Sequence, residues 1–187
     1  MKNFVAGCAA VISVASAAPA MATECPPPPD HRAALSDLFA AAQKAKDEAD
    51  AQRLTARMWG LWTDAPDATA QDWLDEGMSR RDVFDFTGAT EAFDALVAYC
   101  PDYAEGYNQR AFVNYMRQDY SAALPDLNRA LDRQPRHTGA LTGKALTLIA
   151  LHRPAEAALA LRRALKLNPW LSERHLLLGL EAGEEEL

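Results

Sequence analysis

The string AQDWLDEGMSRRDVFDFTGATEAFDALVAYCPDY occupies residues 70–103. It is followed at once by AEGYNQRAFVNYMRQDYSAALPDLNRALDRQPRH (104–137) and TGALTGKALTLIALHRPAEAALALRRALKLNPWL (138–171), and the three align without a gap. Pro101, Pro135 and Pro169 stand 34 residues apart, as do Gly77, Ala111, Ala145 and Gly179, and as do Ala89, Ala123 and Ala157. Independent positions held at one period mark an internal repeat, the feature to establish before any other.

Each string carries two stretches of helical periodicity separated by a polar turn. Helices are expected over Gln71–Phe84 and Thr87–Tyr99, Ala104–Gln118 and Tyr120–Arg133, and Thr138–Leu151 and Pro154–Leu167. Gly77, Ala111 and Ala145 have almost no side chain, so the partner helix of the same unit can come close. Ala89, Ala123 and Ala157 do the same from the other side, and Phe93, Leu127 and Leu161 fill the space between. The prolines end each second helix and open the next unit without needing a backbone donor. Pro125 lies past the first turn of its helix, so that helix is expected to start late or to bend.

Working outward, Ser172 to about Ala182 starts a further helix that caps the array, with an acidic tail to residue 187. On the other side, His31–Lys46 and a second stretch to Thr63 form a helical hairpin (31–64). The hairpin sits where a preceding unit would, with its small residues out of register, and is read as a degenerate unit or N-terminal cap. Trp59 and Trp62, three apart, share a face and are expected in the core. Before the hairpin comes a proline-rich leader (23–30). Pro26 to Pro29 hold a polyproline II form about 12 Å long, and Asp30 is placed to cap the first helix.

Residues 1–22 read as an export signal. Lys2 is followed by the apolar run Phe4–Val14 and by Ala20-Met21-Ala22, which suits cleavage after Ala22. The run falls short of the roughly 20 residues that span a bilayer. Val5-Ala6-Gly7-Cys8 looks like a lipoprotein box, but seven preceding residues leave no apolar region ahead of Cys8, and a soluble periplasmic or secreted product is the preferred reading. The whole chain carries a formal charge of −7; without Met1–Ala22, 18 basic residues face 26 acidic ones, a net −8. Such a chain, with no basic run, is unsuited to nucleic acid or to anionic membranes, and insertion of the mature chain in a membrane is not expected. Cys25 and Cys100 survive cleavage. In an oxidising compartment an even count allows a bridge worth up to ~4.5 kcal/mol, while two unrelated thiols stay equally open.

The pattern resembles the tetratricopeptide repeat (TPR) family. Its aromatic–Gly–Ala–aromatic–Ala–Pro motif appears as Trp73, Gly77, Ala89, Phe93 and Pro101, with Leu96 where the family prefers Ala. The second unit has Tyr107, Ala111, Ala123, Leu127, Ala130 and Pro135, and the third has Leu141, Ala145, Ala157, Leu161, Ala164 and Pro169. The resemblance implies an all-α solenoid of three 34-residue hairpins whose concave face is lined by the first helix of each unit. On that geometry the partner-binding residues are Leu74, Met78, Arg81, Asn108, Phe112, Tyr115, Met116, Thr142, Leu146 and Ile149. Phe112 and Tyr115 are rigid aromatics beside Asn108, a combination suited to a peptide or partner helix. Some co-chaperones of the family clamp a carboxylate with Lys and Asn in the first unit and Lys and Arg in the third. Here those places hold Leu74, Met78, Gly139 and Gly143, so that clamp is absent.

Signatures of catalysis are missing. His31, His137, His152 and His175 are scattered, with no H-x-x-x-H or H-E-x-x-H spacing, and no phosphate loop, G-x-S-x-G or dinucleotide fingerprint occurs. His137 and His152 read as cations at helix ends, and Asp82 and Asp85 as solvated charges. The resulting expectation is a non-enzymatic adaptor of the bacterial envelope, without metal or cofactor, that binds a protein or peptide in the concave groove. The alternative is a self-associating structural component using Trp59, Trp62 or Trp170.

Overall fold

The computed structural model describes residues 24–185. The export-signal and lipoprotein-box readings of residues 1–22 lie outside the described residues. Among the described residues all regular structure is helical: α1 (Arg32–Ala42), α2 (Glu48–Trp62), α3 (Ala68–Asp82), α4 (Phe86–Tyr99), α5 (Ala104–Met116), α6 (Tyr120–Arg133), α7 (Thr138–Ala150), α8 (Pro154–Leu167), a 3-10 turn (Ser172–His175) and α9 (Leu176–Glu185).

Aspartates start many of these helices by accepting an otherwise orphaned backbone N–H. Asp47 takes that of Asp50 at 2.8 Å, Asp67 that of Ala70 at 2.8 Å, Asp85 that of Gly88 at 3.0 Å, and Asp119 that of Ala122 at 3.1 Å. These backbone donors hold the Asp67 and Asp85 carboxyls below the ordinary aspartate range. Capping by Asp119 also settles the start of α6. That helix begins at Tyr120 as in the other units, with Pro125 carried inside it, so the late start does not occur. At α1 the cap position is His31 rather than Asp30; Asp30 instead accepts the Arg32 N–H and pairs with its guanidinium at 2.7 Å.

α3/α4, α5/α6 and α7/α8 form three stacked hairpins, each second helix also packing on the next unit. The first helices touch one another, α3 on α5 and α5 on α7, which makes theirs the inner side. A Cβ on Gly77 would lie 2.4 Å from the Phe93 ring, which is wholly buried, so the closest approach within the first unit depends on glycine. The period also repeats in polar contacts. Arg110 Nη1 donates to Asp94 at 2.7 Å across α4/α5, and 34 residues on Lys144 Nζ donates to Asn128 at 2.7 Å across α6/α7. Phe84, Gln118 and His152, again 34 apart, occupy the left-handed region with φ of 61°, 62° and 56° and turn the chain inside each hairpin.

The N-terminal hairpin departs from its expected place. It does not stack ahead of α3 as a further unit but folds back onto the inner side and the ends of later helices. Gln43 Nε2 donates to the Lys166 carbonyl at 3.0 Å, and Asn168 Nδ2 to Thr55 Oγ1 at 3.0 Å. Arg136 lies over the Phe39 ring at 4.6 Å, and the Tyr103 hydroxyl donates to the Trp62 carbonyl at 2.7 Å. Trp62 is buried and stacks on the His137 imidazole, centroids 4.2 Å apart; Trp59, expected beside it in the core, is 39% exposed. Because the N-terminal hairpin does not stack ahead of α3, Trp73 is 40% exposed, whereas its counterparts Tyr107 and Leu141 are buried. A disulfide joins Cys25 to Cys100 with Cα atoms 5.2 Å apart, fastening the proline leader to the end of α4.

His137 stands at the start of α7 as its cap rather than as an exposed charge at a helix end. It is fully buried, its Nδ1 accepts the Ala140 N–H at 3.1 Å, and its Nε2 meets Glu105 Oε2 at 2.7 Å. With Nδ1 an acceptor, Nε2–H is the donor to the carboxylate.

Two outcomes follow from this packing. Gly77→Ala forces the buried Phe93 ring to move and should cost about 1–3 kcal/mol in urea unfolding. His137→Leu strands Glu105 in the interior and removes the platform under Trp62. It should cost about 2 kcal/mol or more and shift Trp emission to longer wavelength as the hairpin loosens.

Candidate functional site: a pocket between the hairpin and the inner helices

α5 carries Asn108, Phe112 and Tyr115 at i, i+4 and i+7, and α7 carries Gly139, Thr142, Gly143 and Leu146, so both rows face the inner side. Arg81 arrives from the last turn of α3. Trp59 of α2 stands opposite, and Glu173 comes from the 3-10 turn. Together with Ala111, Leu127 and Thr147 these residues line an apolar pocket of about 300 Å³. Its most accessible ring is Phe112, 46% exposed, with the Arg81 guanidinium 5.3 Å from its centroid. Tyr115 packs beside Tyr120, centroids 5.4 Å apart, and burial pushes its phenol above the ordinary value.

Beneath the rim runs a buried polar chain. Arg81 Nη1 donates to Gln109 Oε1, Gln109 Nε2 to Glu105 Oε1, and Asn108 Nδ2 to both Glu105 oxygens at 3.2 Å. The Glu105–His137 bond carries the chain to the seat of Trp62. The floor formed by α5 is therefore hydrogen-bonded to the imidazole on which Trp62 of the hairpin stacks. Arg81 also pairs with Asp82 at 2.7 Å, so its charge is already partnered.

The structure sorts the ten expected binding residues. Arg81, Phe112, Tyr115 and Leu146 line the pocket. Leu74 does not present itself to a partner: it is fully buried in the cluster around Phe93 and Leu96. Asn108 and Thr142 reach the lining but are buried, the first tied to Glu105 and the second donating to the Thr138 carbonyl at 3.0 Å. Met78 packs on the cluster that contains Leu74, Ile149 packs on that of Leu148 and Leu161, and Met116 is half-buried outside the pocket. Trp59, Glu173 and Thr147 are pocket residues that the period alone did not reveal.

Among the described residues no three His, Cys, Asp or Glu side chains stand close enough to hold a metal ion. No helix among them is long and apolar enough to cross a membrane.

No family model matches the chain. A TPR repeat-containing protein of Rhizobium etli is 30% identical over 117 residues, covering 61% of this chain and 56% of that protein. The tetratricopeptide repeat protein 36 homolog of Nematostella vectensis is 33% identical over 71 residues, 38% of this chain and 39% of that protein. The matches thus span about half, or less, of these relatives' length.

Among solved structures, the TPR2B domain of yeast Sti1 in complex with an Hsp70 peptide superimposes with a TM-score of 0.56 at 24% identity, covering 61% of this chain and 94% of that one. The first TPR of Spaghetti (RPAP3) bound to the HSP90 peptide SRMEEVD gives 0.61 at 19%, covering 63% and 94%. The MamA RS-1 ArsTM double mutant gives 0.57 at 16%, covering 84% and 87%. At these identities the structures speak for the fold. With the 34-residue period, the stacked hairpins and the curated relatives, they give this chain the fold of a tetratricopeptide-repeat protein.

Proposed function

We propose that the chain is a non-enzymatic adaptor of the cell envelope, a protein-interaction scaffold that takes a segment of a partner protein in the pocket between α2, α5 and α7. The observation that carries this reading is the pairing of two accessible aromatics, Trp59 and Phe112, across an apolar pocket on the inner side of the solenoid. Accessible aromatics in a concave site are the groups on which binding energy concentrates. The Sti1 and Spaghetti structures, named as complexes with Hsp70 and HSP90 peptides, support peptide binding on this fold. Their carboxylate recognition is not carried over, because Leu74, Met78, Gly139 and Gly143 stand where a clamp would need cations and amides. The export pattern of residues 1–22 and the Cys25–Cys100 bridge support an oxidising, extracytoplasmic setting.

Self-association is a second reading, and a specific surface favours it. Trp62 is buried and Trp170 half-buried, but Val83 and Phe84 at the α3–α4 turn are 73% and 70% exposed. Where this turn is apolar, the corresponding turn of the second unit is Arg117-Gln118.

In-cell crosslinking of the wild-type chain beside a Phe112→Ala, Tyr115→Ala double variant tests the first reading. The double variant should keep its helical signal and lose at least ~30-fold in partner affinity, about 2 kcal/mol; undiminished capture by the folded variant discards the pocket as the interface. For the second reading, sedimentation at high micromolar concentration should show dimers or larger species that Phe84→Ser dissolves, and a monomer throughout rules it out.

A further inference from the structure

The outer face of α3 departs from the pattern of the later units. There the first helix receives the preceding second helix closely. A Cβ on Gly106 would lie 3.1 Å from Val97 of α4, and one on Gly143 would lie 3.1 Å from Leu127 of α6. Arg110 and Lys144 reach across the same two contacts to Asp94 and Asn128. On α3 the matching face is open. Thr69, Asp72, Trp73, Asp75, Glu76 and Ser79 border a shallow groove, and all six are exposed.

The chemistry of this face is changed as well. Asp72, Asp75 and Glu76 correspond to Gly106, Gln109 and Arg110 in the second unit and to Ala140, Gly143 and Lys144 in the third. Carboxylates thus stand where later units are small, neutral or basic. The counterpart of Trp73 is Tyr107, whose ring has Arg110 at 5.7 Å and Arg133 at 4.5 Å. In the first unit those two positions hold Glu76 and Tyr99, and neither brings a cation.

We propose that this face docks a basic amphipathic helix of a partner protein, laid where a preceding second helix would lie. An arginine or lysine of that helix rests on the Trp73 ring, and others meet Asp72, Asp75 and Glu76. The surface shares no residue with the pocket, so the chain has a second place to hold a partner.

Charge selects the occupant. Arg80 pairs with Glu76 at 2.5 Å but is shared with Asp85 at 2.9 Å, and Asp75 accepts from the neutral Gln71 amide at 2.9 Å. The face therefore keeps a negative excess. Two copies meeting through it would set these acids against each other. Reach agrees with charge. Asp72 and Asp75 occupy space that glycine leaves free in later units, so an incoming helix is held farther out, at a distance that long cationic side chains span. Tryptophan is also the ring that best accepts a cation on its face.

The probe is a capped amphipathic peptide of 14 residues, the length of α4, α6 and α8, with leucines along one face and arginines beside them. A control peptide carries glutamate for arginine. Titrated by NMR into the mature chain, the basic peptide should shift residues 69–79 of α3, and the control should not bind. Trp73→Ala, at an exposed site, and the triple variant Asp72→Asn, Asp75→Asn, Glu76→Gln should each weaken the basic peptide ~10-fold or more. Neutralising Asp37, Glu91 and Asp132, exposed acids elsewhere, should change its affinity less than ~2-fold. The proposal is overturned by shifts spread over the acidic surface or centred on Phe112, by wild-type affinity in either α3 variant, or by no binding. It is equally overturned if sedimentation shows self-association that Trp73→Ala dissolves, since a second copy then covers the face. The Phe112→Ala, Tyr115→Ala variant should bind the peptide as wild type does, so failure of the pocket reading and failure of this one are told apart.

Discussion

Glu105 and His137 share a 2.7 Å hydrogen bond in the interior, and the indole of Trp62 lies flat on the imidazole. The placement of the whole N-terminal hairpin depends on this arrangement. His137 is positioned twice over, as the cap of α7 through Nδ1 and as the donor to Glu105 through Nε2, so the surface it offers to Trp62 is fixed before the hairpin docks. Once Trp62 is seated, α2 must pass along the inner helices, and Trp59 one turn earlier faces Phe112 across open space. Without that seat the inner side would be an open groove; with it, the groove becomes a pocket.

The solenoid that carries this site is governed by distance between helix axes. Gly77 leaves room for Phe93, and Ala111 and Ala145 do the same for Leu127 and Leu161 in the later units. Cross-unit pairs then set register: Asp94 with Arg110, and Asn128 with Lys144, keep the same offset although the chemistry changes from ion pair to neutral acceptor. Turn residues obey the geometry over the chemistry as well. Phe84, Gln118 and His152 all take a left-handed backbone that side chains of their kind seldom adopt, because the hairpin requires it at that point.

The repeated part of the fold was legible because its constraints are short in range and imposed anew every 34 residues, so the same small residues appear at 77, 111 and 145. The hairpin's destination was not. Two of its contacts join residues more than a hundred positions apart, Gln43 to Lys166 and Thr55 to Asn168, each made once and by side chains common on any surface. Helical spacing correctly brought Phe112, Tyr115 and Leu146 to the inner side, but spacing cannot report depth. Leu74 is drawn into the core by Phe93, and Asn108 is drawn down by Glu105. His137 was misread because a histidine before a helix has two uses, as a charge or as a cap, and only the buried carboxylate beside it decides between them.

The bridge between Cys25 and Cys100 has a mechanical meaning. It closes a loop of 75 residues that contains α1 to α4, so tension applied along the chain crosses from one sulfur to the other and bypasses everything between them. Roughly 250 Å of potential extension is withheld. A stretched molecule would unstack from α9 backwards while its first hairpins stayed slack, and Trp59 and Trp62 would be carried by the one segment that bears no load.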